Sequence, residues 1–267
     1  MRRVWWSIAL GVALAGCDAP LDDRGPCGLT REVLEIDGQR GLLLLPPGLD
    51  DDAGAPLVIY HHGRGEDWDT IEAGLLAPQF SCALGASGYM VASSHAHGDN
   101  WGSEPAIADY VALYATIAAR RRVRGVMFIS VSMGGLTGLV TLGRGLIPDV
   151  RAWAGIYPVT NLGHVYFDDD RYSRQIERAY DGHPAPEQDP MTIDPAAFRG
   201  VPMLIWASPE DTRVSTADNT ERFLERLGHP STARWIVTKG EHGDPSNFDP
   251  EAMIHFFDAQ RHDDRTR

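Results

Sequence analysis

From residue 29 onward the chain alternates short apolar runs with longer amphipathic ones. Residues 31–36 and 40–45 are strand-like and flank Asp37-Gly38, a pair suited to a two-residue hairpin turn. An antiparallel pair of strands is therefore expected first, ended by Pro46-Pro47-Gly48. Residues 56–61 form a continuous apolar run of the kind that fills a buried central strand. Residues 71–84 read as a helix interrupted by Pro78, and 89–93 as the next strand. The clearest helix spans 106–122, with Ile107, Val111, Tyr114 and Ile117-Ala118 on one face. Arg120, Arg121 and Arg122 at its end suit the negative pole of the helix dipole. An apolar strand over 126–129 turns into a small-residue helix that ends near Arg144-Gly145. Further strands are expected at 150–156, 201–207 and 234–238, with a helix over 216–227. Asp249-Pro250-Glu251 starts a last helix with a cap, a first-turn proline and an early acid. Residues 161–199 have weak periodicity and many charges, prolines and aromatics. They read as an insertion, or lid, over one face.

Strands alternating with helices imply an α/β fold: a mostly parallel sheet with helices on both faces and an N-terminal antiparallel hairpin. Ligands in such sheets bind beyond the carboxyl ends of the strands, so the residues just after each strand carry the chemistry. The chain of 267 residues is ample for one such domain. Its 24 basic and 37 acidic residues give a formal net charge of −13, and Lys239 is its only lysine. An acidic surface with no basic patch argues against nucleic-acid binding.

The first residues carry a separate message. Arg2 and Arg3 precede an apolar run over 4–15, too short to span a bilayer as a mature helix. Leu14-Ala15-Gly16-Cys17 then resembles the bacterial lipobox, in which the signal is cut before the cysteine and the cysteine carries a lipid. That resemblance divides the chain into a signal peptide at 1–16, a tether at 17–28 and a hydrolase domain at 29–262. An ordinary secretory signal cut nearby is the alternative. The lipobox implies an extracytoplasmic protein held to the cell-envelope membrane through Cys17, on the membrane rather than across it. Loss of residues 1–16 removes two arginines and takes the formal charge to −15. Cys27 and Cys82 then remain, to pair in an oxidising compartment or to stay as free buried thiols.

Residues 125–138, GVMFISVSMGGLTG, organise the rest. A strand, a serine with small residues two positions away on each side, and a helix make a nucleophile elbow. Crowding is the reason for the small residues. The serine backbone is strained, so Ser130 and Gly134 must let neighbouring backbone approach closely. The usual first residue of the motif is glycine, and here it is Ser130. Ser132 is then exposed above the sheet, and the Met133 N–H faces a developing oxyanion from the start of a helix.

Taken in order, the strand ends carry His62-Gly63-Arg64, His95 to Trp101, Ser132, Tyr157, Asp211 and His242. Over about residues 30–260 these motifs and their order resemble the α/β-hydrolase superfamily. In that superfamily the triad runs nucleophile, acid, histidine. The resemblance implies Ser132 as nucleophile, Asp211 as acid and His242 as base, with oxyanion donors on Met133 and Arg64. It implies a serine hydrolase, above all of carboxylic esters, borne on a small molecule or a polymer. The early hairpin and the HHGRG loop look like those of secreted esterases. The triad calls for no metal and no cofactor.

Alternatives stay open at this level. Glu210 adjoins Asp211 and competes for the acid role. His61 reads as a packing or hydrogen-bonding histidine behind the oxyanion loop. His95, His97 and Asp99 form an H-x-H-x-D run that a hydrolytic metal site would use. Trp101 and Tyr157, with Tyr166 and Phe167, line a substrate pocket or pack the insertion on the domain. A peptidase, a thioesterase and a non-catalytic surface-tethered binding protein fit the same fold.

Overall fold

The computed structural model describes residues 25–167 and 171–261; the proposed signal peptide and Cys17 lie outside the described residues. Eight strands form one sheet: β1 (Thr30–Ile36), β2 (Gln39–Leu45), β3 (Ala55–His61), β4 (Met90–Ser94), β5 (Val123–Val131), β6 (Val150–Ile156), β7 (Met203–Ala207) and β8 (Ala233–Val237). Their order is β1-β2-β4-β3-β5-β6-β7-β8. β2 is antiparallel to both β1 and β4, and every other neighbouring pair is parallel. This is the α/β-hydrolase fold. The hairpin turns at Asp37 (φ 51°) and Gly38 (φ 82°), the two left-handed residues that a type I′ turn requires.

Side chains alternate across the sheet and so feed two cores. On one face Leu57 and Ile59 of β3 pack with Tyr110 and Leu113 of α3 (Glu104–Ala118) and Leu139 of α4 (Gly134–Gly143). On the other, Val58 and Tyr60 pack with Phe80 and Leu84 of α2 (Ala77–Ala86) and with Met253 and Phe257 of α8 (Pro250–Asp258). β3 is buried along its whole length, as its unbroken apolar run requires. A third cluster sits over the carboxyl ends of the strands. There Trp101, Met133, Leu136 and Val159 meet Leu162, Val165 and Tyr166 of α5 (Leu162–Phe167) and Ile176 of α6 (Ser173–Tyr180).

Four segments differ from the sequence expectation. The helix over 71–84 is two helices, α1 (Thr70–Ala73) and α2, and Pro78 falls in the first turn of α2, where no amide hydrogen is needed. α3 stops at Ala118, so the three arginines lie beyond it. Arg121 instead pairs with Glu32 and Asp51. The helix over 216–227 begins as a wide π-turn at Ala217–Glu221 and becomes α7 (Arg222–Arg226). That turn carries the buried Asn219 side chain, whose Oδ1 accepts from the N–H groups of Thr160 and Asn161. Much of 161–199 is not over the strand ends either. Its later part forms short 3₁₀ turns, and Ile193 and Phe198 there pack against Gly143 at the end of α4.

Cys27 and Cys82 are joined in a disulfide across 55 residues. The bond ties the segment ahead of β1 to α2. A loop of that length restricts the unfolded chain by about 4 kcal/mol on the chain-entropy model. Cys82→Ser should therefore lower the unfolding free energy in urea by about 2–4 kcal/mol relative to wild type without reductant. An unchanged midpoint would show that the crosslink constrains nothing.

Candidate active site

Ser132 lies between β5 and α4 with φ 49°, in the left-handed region. Its N–H donates to the Ile156 carbonyl (3.0 Å), and its own carbonyl accepts from Gly135 (2.9 Å) and Val159 (2.8 Å). Those three bonds hold a backbone that a non-glycine residue avoids. The room for it comes from glycine. A Cβ on Gly134 would lie 2.2 Å from the His61 carbonyl oxygen, and one on Gly138 would lie 2.2 Å from Ser130 Oγ. Ser130 is more than a small residue. Trp153 Nε1–H donates to its Oγ (3.1 Å), and His61 Nδ1 shares a hydrogen bond with the same oxygen (3.2 Å). Burial pushes the His61 imidazole down to about 3, so the ring is neutral. It packs against Tyr110 and Phe128, the packing role expected of it.

His242 Nε2 is 3.0 Å from Ser132 Oγ, and His242 Nδ1 is 2.7 Å from Asp211 Oδ2. Asp211 follows β7, and its Oδ1 accepts from the N–H groups of Arg213 (2.8 Å) and Val214 (3.0 Å). Burial pushes the Asp211 carboxyl up. The His242 hydrogen bond and charge, with the two backbone donors, outweigh it and hold the group below the usual carboxylate range. Glu210 goes elsewhere, accepting from Gly240 N–H (2.7 Å). Glu241 returns the tie by accepting from the Thr212 N–H (3.0 Å) and hydroxyl (2.8 Å). The acid loop and the histidine loop are thus clasped on both sides of the Asp211–His242 bond.

Two backbone donors lie on the segments beside the serine: Met133 follows it in the chain, and Arg64 lines the same cavity. Among the described residues, neither Met133 N–H nor Arg64 N–H has an acceptor. Gly63 N–H, by contrast, is taken by Glu66 Oε2 (2.7 Å), and Gly65 N–H by Asp99 Oδ1 (2.7 Å), so the loop is pinned on either side of Arg64. His62 completes the support: its Nδ1 lies 2.8 Å from the Gly63 carbonyl and its Nε2 lies 3.1 Å from the His95 carbonyl. The H-x-H-x-D run does not converge. His95 pairs with Asp67 and His97 with Asp109, each at 2.7 Å, while Asp99 holds Gly65.

A cavity of about 130 Å³ opens at Ser132 and His242. Trp101, Tyr157 and Arg64 all line it, as do Val165 and Tyr172 from 161–199. Tyr157 also lies against the His242 ring, with centroids 4.2 Å apart. Burial, then the charges of Glu66 and Asp211, push its phenol well up, so it stays protonated. Trp101 stacks on Tyr172 (5.0 Å), whereas Tyr166 packs within α5–α6 and Phe167 is largely exposed. Sequence reading missed the Ser130–His61–Trp153 network, the Glu210 and Glu241 ties and Glu66. Only Glu66 left a signal. It stands three residues after Gly63, the spacing at which an acid reaches back to a loop N–H.

The arrangement can do acyl-transfer chemistry: a hydroxyl beside an imidazole, an oriented carboxylate, and two N–H groups on the adjoining segments that have no acceptor among the described residues. No family model matches the chain, and no curated protein matches it in sequence. Solved structures share the fold. A chain from Lactobacillus plantarum provisionally named a carboxylesterase is 16% identical, with a TM-score of 0.64 over 87% of this chain and 97% of its own. A puromycin-hydrolyzing peptidase of Mycobacterium tuberculosis is 16% identical, with a TM-score of 0.68 over 88% of this chain and 40% of its own. The acylaminoacyl peptidase of Pyrococcus horikoshii is 12% identical, with a TM-score of 0.67 over 87% of this chain and 42% of its own.

The Asp211 environment has a consequence for acid stability. A carboxyl whose folded pKa lies below its unfolded value adds stability that is full above about pH 4 and is lost as pH falls through the folded value. Urea midpoints followed from pH 7 to pH 3 should therefore fall more steeply for wild type than for Asp211→Asn. Parallel curves would show that the folded protein does not favour the ionised form.

Proposed function

We propose that the protein is a serine hydrolase that cleaves carboxylic esters through an acyl-enzyme on Ser132. The observation that carries this reading is the continuous hydrogen-bonded line from Asp211 through His242 to the Ser132 hydroxyl. His242 Nε2 takes the Ser132 proton as Oγ adds to the ester carbonyl. The oxygen that becomes negative is held by the Met133 and Arg64 N–H groups. His242 then gives its proton to the departing alkoxide, and a water repeats the sequence on the acyl-enzyme. Asp211 keeps the imidazole tautomer with Nε2 facing the serine and offsets the imidazolium charge.

Two observations favour esters with short acyl groups. The chain matches nearly the whole length of the carboxylesterase-named relative but less than half of each peptidase compared. The cavity of about 130 Å³ is near the size that admits one benzene-sized guest, well below ordinary drug-sized pockets. The peptidase likenesses support a second reading, amide hydrolysis at the same serine.

A fluorophosphonate should add once, to Ser132, and Ser132→Ala should remove both the adduct and acetyl-ester turnover. A folded protein that takes no adduct would overturn the hydrolase reading. Turnover of aminoacyl amides in preference to acetyl esters would replace the esterase with the peptidase. Asp211→Asn should lower kcat/KM about 10³–10⁴-fold, the order seen when a triad acid is neutralised. Glu210→Gln should change it only a few-fold, because Gln still offers Gly240 an acceptor. The reverse pattern would move the acid to Glu210.

The lipobox-like LAGC supports a second proposal, that Cys17 carries the lipid and the domain faces away from the cytoplasm. No helix among the described residues is long and apolar enough to cross a membrane. Cys17→Ser should release the protein from the membrane fraction in its host, and retention there would overturn the anchor.

A further inference from the structure

The charge around the Ser132 cavity runs opposite to that of the chain. The whole chain carries −13, yet two arginines, Arg64 and Arg213, line the cavity beside Ser132 and His242. Both side chains belong to exposed residues, and neither makes an ion pair among the described residues. Arg64 lies over the Tyr172 ring, 5.6 Å from its centroid. Arg171 lies over the same ring at 5.4 Å and donates to the Arg213 carbonyl (3.4 Å), so a third guanidinium joins the group.

The carboxylates nearby are directed elsewhere. Glu66, which also lines the cavity, accepts from Gly63 N–H and, at 3.4 Å, from the Tyr60 hydroxyl. Asp211 faces His242 and two N–H groups, and Glu241 faces Thr212. Like charges gathered at one mouth repel. Glu241 feels the charge of Arg213 but spends its hydrogen bonds on Thr212, and no described carboxylate forms an ion pair with Arg64 or Arg213. Their donors are suited to a planar, two-oxygen anion.

We propose that Arg64 and Arg213 recognise a carboxylate on the substrate, so that the preferred ester is an anionic one. The inference rests on Ser132 being the reacting residue, since it assigns these arginines to the same substrate. The carboxylate sits either on the leaving group or at the far end of the acyl chain. An acidic protein with a locally positive mouth would also draw such esters to the site, making the preference salt-dependent.

Binding tests this apart from turnover. In Ser132→Ala, dissociation constants are measured by tryptophan fluorescence for two pairs of ligands. One pair is 4-acetoxybenzoate and 4-acetoxybenzamide; the other is monophenyl glutarate and phenyl pentanoate. In at least one pair the charged member should bind about tenfold more tightly at 50 mM NaCl, with the advantage shrinking at 500 mM. Adding Arg213→Gln or Arg64→Gln should abolish most of that advantage, and Arg213→Lys should restore part of it. Equal binding within both pairs, or an equal loss for charged and neutral members in the variants, would overturn the proposal. Turnover by the wild type separates the two readings. Hydrolysis of 4-acetoxybenzamide that depends on Ser132, with no preference for charge, leaves the esterase standing and removes the anion site. Charge-selective binding with no turnover of any ester keeps the anion site and removes the esterase.

Discussion

The start of α4 rests directly on the end of β3, and the site depends on that contact. It exists because Gly134 has no Cβ; one would stand 2.2 Å from the His61 carbonyl oxygen. The close approach sets side by side the two segments that carry the donors of the proposed oxyanion site. Met133 N–H comes from the elbow on α4, and Arg64 N–H comes from the loop that β3 feeds. A Cβ on Gly63 would lie only 3.6 Å from the Ser132 Cβ. Beneath the contact, the network pairs His61 Nδ1, Ser130 Oγ and Trp153 Nε1, three polar atoms that the tight packing cuts off from water. Backbone proximity, glycine and a buried hydrogen-bond network therefore act as one device.

The other half of the site is held by charge and hydrogen bonding rather than by packing. The Asp211 and His242 loops follow β7 and β8 at the sheet edge, where less apolar surface holds them; β8 is only partly buried. Three acids compensate. Asp211 bonds His242, Glu210 bonds Gly240 and Glu241 bonds Thr212, each carboxylate crossing to the other loop. Such ties are directional, so they fix the orientation of an imidazole better than contact area would.

Much of this was legible in the residues. The Asp37-Gly38 turn, the unbroken apolar β3 and the order of Ser132, Asp211 and His242 each follow from local chemistry, and local chemistry is what a sequence displays. What was illegible depends on distant partners. Arg121 looks like a helix-end cation until Glu32 and Asp51 arrive from the hairpin and its loop. The π-turn at Ala217–Glu221 follows from where Asn219 must reach, across to Thr160 and Asn161. His95, His97 and Asp99 share a ligand-like spacing, but Asp67 and Asp109 claim the two imidazoles from other elements. Pairing across 28 or 12 residues leaves no mark on either member alone.

The disulfide sets where the domain takes up mechanical load. β1 is the outermost strand and bonds only to β2, so tension on the chain ahead of it would unzip the hairpin one hydrogen bond at a time. Cys27 precedes β1, and its bond to Cys82 carries such tension into α2. From there it spreads over a helix packed on the sheet by Phe80 and Leu84, and β1 is relieved of part of it. A pull applied ahead of Cys27 would thus enter the domain through two covalent paths, one of them a helix packed on the middle of the sheet and not its edge strand.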